Sequence, residues 1–143
     1  MEMKFFKLIM SLFVSFIIFT NVSYGQNFTK LPKSTDSTYG YSAYNPLKLK
    51  NGDPVESVKN SKKFLKGLKT VNDQDLIMLG RSGVLDPNFK EPSGGIAASL
   101  GEGGILDKYE FITSVSKDRI ILYADVYHKN KLMIPLGLKY VKP

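Results

Sequence analysis

Apolar side chains recur three and four residues apart between Asp53 and Thr70, and this spacing predicts one amphipathic helix. Asp53 can cap the first turn and Pro54 suits the first helical position, whereas Gly67 and Thr70 weaken the helix and end it. We expect the helix to pack on a sheet through an apolar stripe, with Phe64 at the margin of that stripe. The stripe consists of Val55, Val58, Leu65 and Leu68.

A neighbouring face of the same helix carries the one cluster of charge that the pattern reveals. We call it the basic helix face, and it consists of Lys59, Lys62, Lys63, Lys66 and Lys69. Two interpretations stay open. The face is either an ordinary solvated surface or a contact site for an acidic protein or an anionic membrane surface.

The last third of the chain alternates between apolar and polar residues, which is typical of strands. One run covers 105–115 and a second covers 119–127, with a turn at 116–118 between them. In the second run, Ile120, Leu122, Ala124 and Val126 point one way. A third run, 132–138, is interrupted by Pro135 and Gly137. These runs predict an antiparallel meander of three strands.

The first half of the chain offers weaker strand patterns. The stretch 39–49 has extended character, and Pro46 restricts it to an edge strand or a strand–turn–strand. A short apolar run at 75–79 predicts another strand, and the glycine-rich segment 80–104 predicts a long loop. Together these elements predict an α+β fold, with one helix on an antiparallel sheet of about four strands and a C-terminal three-strand meander.

The start of the chain has the pattern of a sorting signal. Lys4 and Lys7 precede an apolar run at 8–19, and Ser23 and Gly25 are small residues at the spacing of a cleavage site. We therefore expect a signal peptide at 1–25, a flexible lead-in at 26–38 and a single domain at 39–143. Cleavage after Gly25 would leave 118 of the 143 residues. A retained anchor is the alternative, although the apolar run is shorter than the roughly 20 residues of a membrane span.

Composition narrows the classes of protein that fit this sequence. The chain has no cysteine, which excludes disulfides, thiol chemistry and an N-terminal lipoprotein anchor. The net charge is +7, and only Arg81 and Arg119 among the 20 cationic residues are arginines. Because specific phosphate and base recognition favours arginine, we expect no nucleic-acid partner. We expect export through the Sec route to the periplasm or the outer membrane, with secretion as a further option.

Few residues are suited to catalysis or to metal binding. His128 is the one histidine and lies at a predicted turn, so the sequence predicts neither a Ser-His-Asp triad nor a zinc site, and no cofactor or metal. The remaining acid–base candidates are Asp107, Glu110 and Asp125 on adjacent predicted strands. Asp107 and Asp125 are predicted to face the same side. They predict either a carbohydrate site with paired carboxylates or the ordinary outer face of a sheet.

Tyrosine is the other candidate for function. Because tyrosine is enriched at protein interfaces, the tyrosines of 39–44 and of the second predicted strand form a candidate contact surface. They are Tyr39, Tyr41, Tyr44, Tyr123 and Tyr127. The first hypothesis is therefore a non-enzymatic envelope protein that binds another envelope protein. A small hydrolase or carbohydrate-binding domain, and an exported immunity or inhibitor protein, are the alternatives.

Five stretches, TYGYSAYNPLKL, KKFLKGLK, GILDKYEF, IILYADVY and LMIPLGLKY, follow one another in this order. This series resembles a family of small exported proteins of Gram-negative bacteria that often carry the label 2-dehydro-3-deoxyphosphooctonate aldolase. Where many relatives have a Gly-Ser-Cys-Cys segment, this chain reads GRSGVLDPNF. The labelled activity implies a barrel of roughly 250 residues, for which 118 residues are too few. The resemblance thus implies the fold and export and leaves the function open.

Overall fold

One helix and two small sheets form the fold in residues 26–90 and 104–143, which are the residues that the computed structural model describes. The predicted signal peptide, 1–25, and residues 91–103 of the predicted glycine-rich loop lie outside them. The helix is α1 (Pro54–Gly67). The strands are β1 (Leu47–Lys48), β2 (Leu68–Thr70), β3 (Leu76–Leu85), β4 (Ile105–Thr113), β5 (Arg119–Asp125) and β6 (Leu138–Tyr140).

The larger sheet has the strand order β1-β5-β4-β3, and β2 pairs with β6 in a separate two-stranded sheet. This arrangement confirms the predicted α+β fold with one helix and a four-stranded sheet. The sheet is mixed rather than antiparallel, because β1 runs parallel to β5. Leu122 and Ala124 of β5 share a buried core with Phe64 and Leu65 of α1, so the helix covers one face of this sheet.

The predicted meander forms only in part. β4 and β5 pair antiparallel around the predicted turn, but the third run does not pair with β5. Both edges of β5 are already occupied, one by β4 and the other by β1. The third run therefore continues past β5, and its end forms β6 against β2, with Leu68 opposite Tyr140.

The start of α1 is as predicted. The Asp53 side chain accepts a hydrogen bond from the Glu56 N–H at 2.9 Å, and Pro54 occupies the first turn. The buried face of α1 differs from the predicted stripe. Phe64 is 0% exposed and lies at the centre of the core, whereas Val55 is 64% exposed. Lys69 belongs to β2 rather than to the helix, since α1 ends at Gly67.

Two serines take the place of apolar side chains on the buried face of α1. Ser57 and Ser61 are both buried, and neither leaves its hydroxyl unpaired. The Ser61 hydroxyl donates to the Ser57 carbonyl at 2.7 Å, one helical turn earlier. The Ser57 hydroxyl accepts from the Asn51 N–H at 3.1 Å, which ties the turn before the helix to the helix itself.

The segment predicted as a flexible lead-in is part of the core. Phe28 is buried, and its ring lies 5.3 Å from that of Phe64 in an edge-to-face arrangement. Further along, the Ser34 N–H donates to the Ile134 carbonyl at 2.8 Å. The domain therefore begins before Tyr39, because the sheet alone leaves this side of α1 uncovered.

The stretch 39–45 forms successive turns rather than an edge strand, and the strand β1 is limited to Leu47 and Lys48. The Asn45 side-chain amide donates to both Asp36 and Thr38, at 2.9 and 3.0 Å. Gly40 has a φ of +81°, which a glycine tolerates without strain. Its carbonyl accepts from the Tyr123 N–H at 2.8 Å and attaches the turns to β5.

The strand β3 is longer than the apolar run that predicted it. It extends to Leu85, so Gly80 and Gly83 lie in a strand and not in the predicted loop. The pairing register with β4 shifts between Met78 and Gly80, which marks a bulge at Leu79. The predicted loop therefore begins only after Leu85.

Gly67→Ala is expected to lower the free energy of unfolding by about 1–3 kcal/mol, in the range of overpacked cores. A Cβ atom on Gly67 would lie 2.3 Å from a ring carbon of Tyr140 and 2.8 Å from the Val141 carbonyl oxygen. Urea unfolding followed by far-UV circular dichroism measures the change. Gly80→Ala is the control, because a Cβ there meets nothing within 4 Å. Equal effects of the two substitutions would contradict the close contact of Gly67 with Tyr140.

Candidate functional site

Two of the five tyrosines predicted to form a contact surface serve the core instead. Tyr39 is buried, and its hydroxyl oxygen accepts from the Met133 N–H at 3.1 Å. The Tyr41 hydroxyl donates to the Leu136 carbonyl at 2.7 Å. Burial raises the pKa of both phenols above the ordinary value. Tyr39 is therefore inaccessible to a partner, and both side chains hold the segment that leads into β6.

The other three tyrosines differ in their exposure. Tyr44 is 72% exposed and Tyr127 is 36% exposed, whereas Tyr123 is half-buried on β5. The Tyr44 carbonyl accepts from the side-chain amide of Asn88 at 3.0 Å, which connects the early turns to the end of β3. The structure therefore does not gather the five tyrosines into one surface.

The three acids of the predicted carbohydrate site do not converge. Asp107 lies opposite Ala124 in the register of β4 and β5, so it shares a face with Ala124 and not with the adjacent Asp125. Glu110 lies opposite Ile121, four positions from Asp125 along β5. At roughly 3.3 Å per residue this separation is about 13 Å, beyond the distance that paired carboxylates of glycosidases span.

Two of these acids are neutralised by cations on their own or a neighbouring strand. Arg81 donates to both Asp107 oxygens, at 2.8 and 2.9 Å, and its guanidinium lies 5.8 Å from the centre of the Tyr109 ring. Burial, together with the adjacent Asp107, raises the pKa of Tyr109 to about 12. Lys108 and Arg119 both bind Glu110, and these hydrogen bonds lower its pKa to about 2.

Asp125 is the most buried charge in the described residues, with 0% of its surface exposed. Its position at the end of β5, opposite Lys48 of β1, brings the Lys48 ammonium within 2.8 Å of Oδ2. The backbone N–H groups of Tyr127 and His128 donate to Oδ1 at 2.9 and 3.0 Å. Burial acts to raise the pKa of Asp125, but these hydrogen bonds outweigh it and hold the pKa below its usual range.

The same carboxylate orients the one histidine. His128 Nδ1 lies 2.9 Å from Asp125 Oδ2, so the ring is fixed through this nitrogen, and Nε2 has no protein partner in the described part of the chain. The signal in the sequence is the Asp-x-x-His spacing across the turn after β5. Sequence reasoning treated His128 as a solvated turn residue, because nothing local reveals that Lys48 and a buried carboxylate stand behind it.

Asp86 lies close to this pair. One ligand atom from each of Asp86, Asp125 and His128 falls within 4.8 Å of the others, a set that resembles a cation site. However, Lys48 and His128 Nδ1 already occupy Asp125 Oδ2. Lys48 thus supplies the positive charge that a metal ion would bring, and we assign the cluster to an ion-pair network.

A cleft of about 460 Å³ opens beside His128, between the first turn of α1 and the strands β3 and β4. Its polar lining is Lys50, Ser57, Arg81, Asp107, Tyr127 and His128. Gly52, Pro54, Val58 and Val126 complete it. The structure thus brings Asp107 of β4 and His128, in the turn after β5, to one cleft, with Asp107 already bound by Arg81.

The strand β3 forms an edge of the four-stranded sheet and presents apolar side chains there. It pairs only with β4, and along its other side no described residue pairs with its backbone. Ile77 and Met78 are each 47% exposed and Leu79 is 57% exposed. A long apolar edge strand of this kind is a site for pairing with another chain unless it is protected. The bulge at Leu79 interrupts the edge but does not cover it.

The basic helix face is solvent-exposed at Lys59, Lys62, Lys63 and Lys66. Lys69 binds Asp75 at 2.8 Å, and this contact raises its pKa. In the described residues the four helical lysines have no salt bridge. They form an exposed positive strip along α1.

No family model, curated protein or solved structure matches this chain. The resemblance to the exported Gram-negative family therefore stays a prediction. Among the described residues, no helix is both long enough and apolar enough to cross a membrane.

Proposed function

We propose that this protein is an exported envelope protein that binds another envelope protein by accepting one of its extended segments at the outer edge of β3. The observation that carries the proposal is the exposed apolar edge of that strand. In strand addition, main-chain hydrogen bonds supply affinity and exposed side chains supply specificity.

The geometry of β3 supports an extended segment as the ligand. The strand is ten residues long, and its backbone on the outer side has no partner in the described residues. Its first residues, Leu76 to Leu79, are apolar, whereas Arg81 and Ser82 follow the bulge. A partner strand would therefore bury apolar side chains before the bulge and polar ones after it.

The proposed cellular location is inferred from the pattern at the start of the chain. The pattern at 1–25 supports export through the Sec route, which would bring the protein to the periplasm or the outer membrane. We propose export without a lipoprotein anchor, in keeping with the lack of cysteine in these 143 residues. The exposed lysines of the basic helix face would attract the protein to an anionic membrane surface, since lysine ammonium groups and lipid phosphates have opposite charge. This attraction acts over about one Debye length.

Replacing Ile77 and Met78 with lysine is expected to reduce capture of the partner about tenfold or more, because charge on an apolar edge opposes strand pairing. The protein, tagged at its C-terminus, is purified from mildly solubilised envelopes, and co-purifying proteins are quantified by mass spectrometry. The matched control replaces Val115 and Leu136 with lysine. These residues are exposed apolar side chains outside the strands, and the control adds the same charge.

Three outcomes are distinct. A near-stoichiometric envelope partner that is lost only from the β3 variant supports the proposal. A partner retained equally by both variants contradicts the β3 edge as the binding site. The absence of any partner from the wild-type protein contradicts the proposed function itself.

A further inference from the structure

The cleft beside His128 brings the cationic side chains of Lys50 and Arg81 together with an apolar wall. Its volume of about 460 Å³ falls within the range of small-molecule sites. It lies on the helix-covered side of the sheet, whereas the proposed partner site is the outer edge of β3. The two sites share Arg81, but their tests change different residues, Ile77 and Met78 at the edge of β3 and Lys50 in the cleft, so each site can fail without the other.

The charges that line the cleft favour an anion. Lys50 has no acidic side chain within 4.0 Å of its ammonium nitrogen among the described residues. Asp107 is the one acid in the lining, and both of its oxygens are bound by Arg81. Because this pair is neutral, Lys50 is the one charged side chain of the lining without an ion-pair partner among the described residues, and the carboxylate of Asp86, close to His128, lies outside the lining.

His128 adds a fixed hydrogen-bonding group to the same cleft. Its Nδ1 is bound by the buried Asp125, which is held in turn by Lys48 and two backbone N–H groups. The ring is thereby positioned without help from a ligand, and only Nε2 remains for one. Such preorganisation lowers the entropy that a ligand must lose on binding.

The remaining wall of the cleft is carbon-rich. Pro54 and Val58 of α1 line it together with Val126 and Tyr127. A free inorganic anion would leave this wall uncovered, whereas a ligand with an attached apolar group would cover it. We propose that the cleft binds a small organic phosphate, with its phosphate group between Lys50 and His128 and its apolar part against Tyr127.

Phenyl phosphate is the probe for this site, with inorganic phosphate as the comparison for its anionic group and benzyl alcohol, an uncharged aromatic compound, as the comparison for its ring. His128 is the one histidine, so the imidazole protons of the untagged protein give a single set of signals in a proton NMR spectrum. The full chain is expressed, and the purified protein is titrated with each probe at fixed pH and ionic strength. We expect saturable shifts of the His128 signals with phenyl phosphate, several-fold weaker binding of inorganic phosphate, and no saturation with benzyl alcohol.

Lys50→Gln is expected to weaken phenyl phosphate binding about fivefold or more, because a charge-assisted contact to the phosphate is lost. The matched control is Lys62→Gln, which removes the same charge from the exposed side of α1. Both lysines are exposed, so both variants should fold. A His128 shift that does not saturate overturns the proposal, as does equal weakening by the two variants, which would trace binding to the net charge. Equal affinity for inorganic and phenyl phosphate overturns the apolar subsite.

Discussion

Phe64→Ala is expected to lower the free energy of unfolding by about 3–5 kcal/mol, as is usual for a large aromatic side chain in a core. Phe64 is wholly buried between two rings. It meets Phe28 edge to face at 5.3 Å and stacks on Tyr140 at 6.0 Å. Removing it would leave a cavity where the N-terminal segment, α1 and β6 meet. Urea unfolding followed by far-UV circular dichroism measures the loss.

Val55→Ala is the control for this prediction, and it also distinguishes the structure from the sequence pattern. Val55 is exposed, so we expect a change within about 0.5 kcal/mol. The apolar stripe predicted from the sequence has the opposite order, with Val55 in the core and Phe64 at its margin. A larger effect at Val55 than at Phe64 would show that α1 is rotated relative to the arrangement described above.

Asp125→Ala is expected to cost about 3–5 kcal/mol, the range found when one partner of a buried ion pair is removed. The substitution leaves the Lys48 ammonium and two backbone N–H groups without their acceptor. Because the same carboxylate holds the ring of His128, the imidazole signals should also broaden or shift. Asp75→Ala is the control, since the Asp75–Lys69 pair is exposed and worth about 1 kcal/mol or less.

The stability that Asp125 contributes depends on pH in a definite direction. The pKa of Asp125 is lower in the folded protein than in the unfolded chain, so the unfolded state binds more protons near pH 4. The contribution of Asp125 is thus fully present above the unfolded pKa of about 4 and is lost as the pH falls through the folded pKa. The difference between wild type and Asp125→Ala should therefore narrow below about pH 4. A difference that widens there would contradict the assignment.

The two proposed sites divide the molecule into a surface for a protein and a cleft for a small ligand. Arg81 connects them, because it lies on β3 and also binds Asp107 in the lining of the cleft. A partner strand along β3 would pair with the same backbone that carries Arg81. The NMR titration repeated in the presence of the captured partner would then report whether the two sites influence each other.

Much of the candidate site was hidden from sequence reasoning for one physical reason, which is that its members are distant in the chain. Lys48 and Asp125 meet only because β1 is parallel to β5, and Arg81 meets Asp107 only through the pairing of β3 with β4. The carboxylates that looked paired are separated by register. Asp107 lies opposite Ala124, so the adjacent Asp125 points to the other face.

The sequence by itself determined the features that depend on neighbours in the chain. These are the Asp53–Pro54 helix start, the turn at 116–118, and the inward direction of Leu122 and Ala124. Only the tertiary structure decided which helical residues face the core, why β6 joins β2, and where His128 is held. Local hydrogen bonding and side-chain spacing specify the first group. The second depends on which strand edges remain free and which rings cover α1, and these are set only when distant segments pack together.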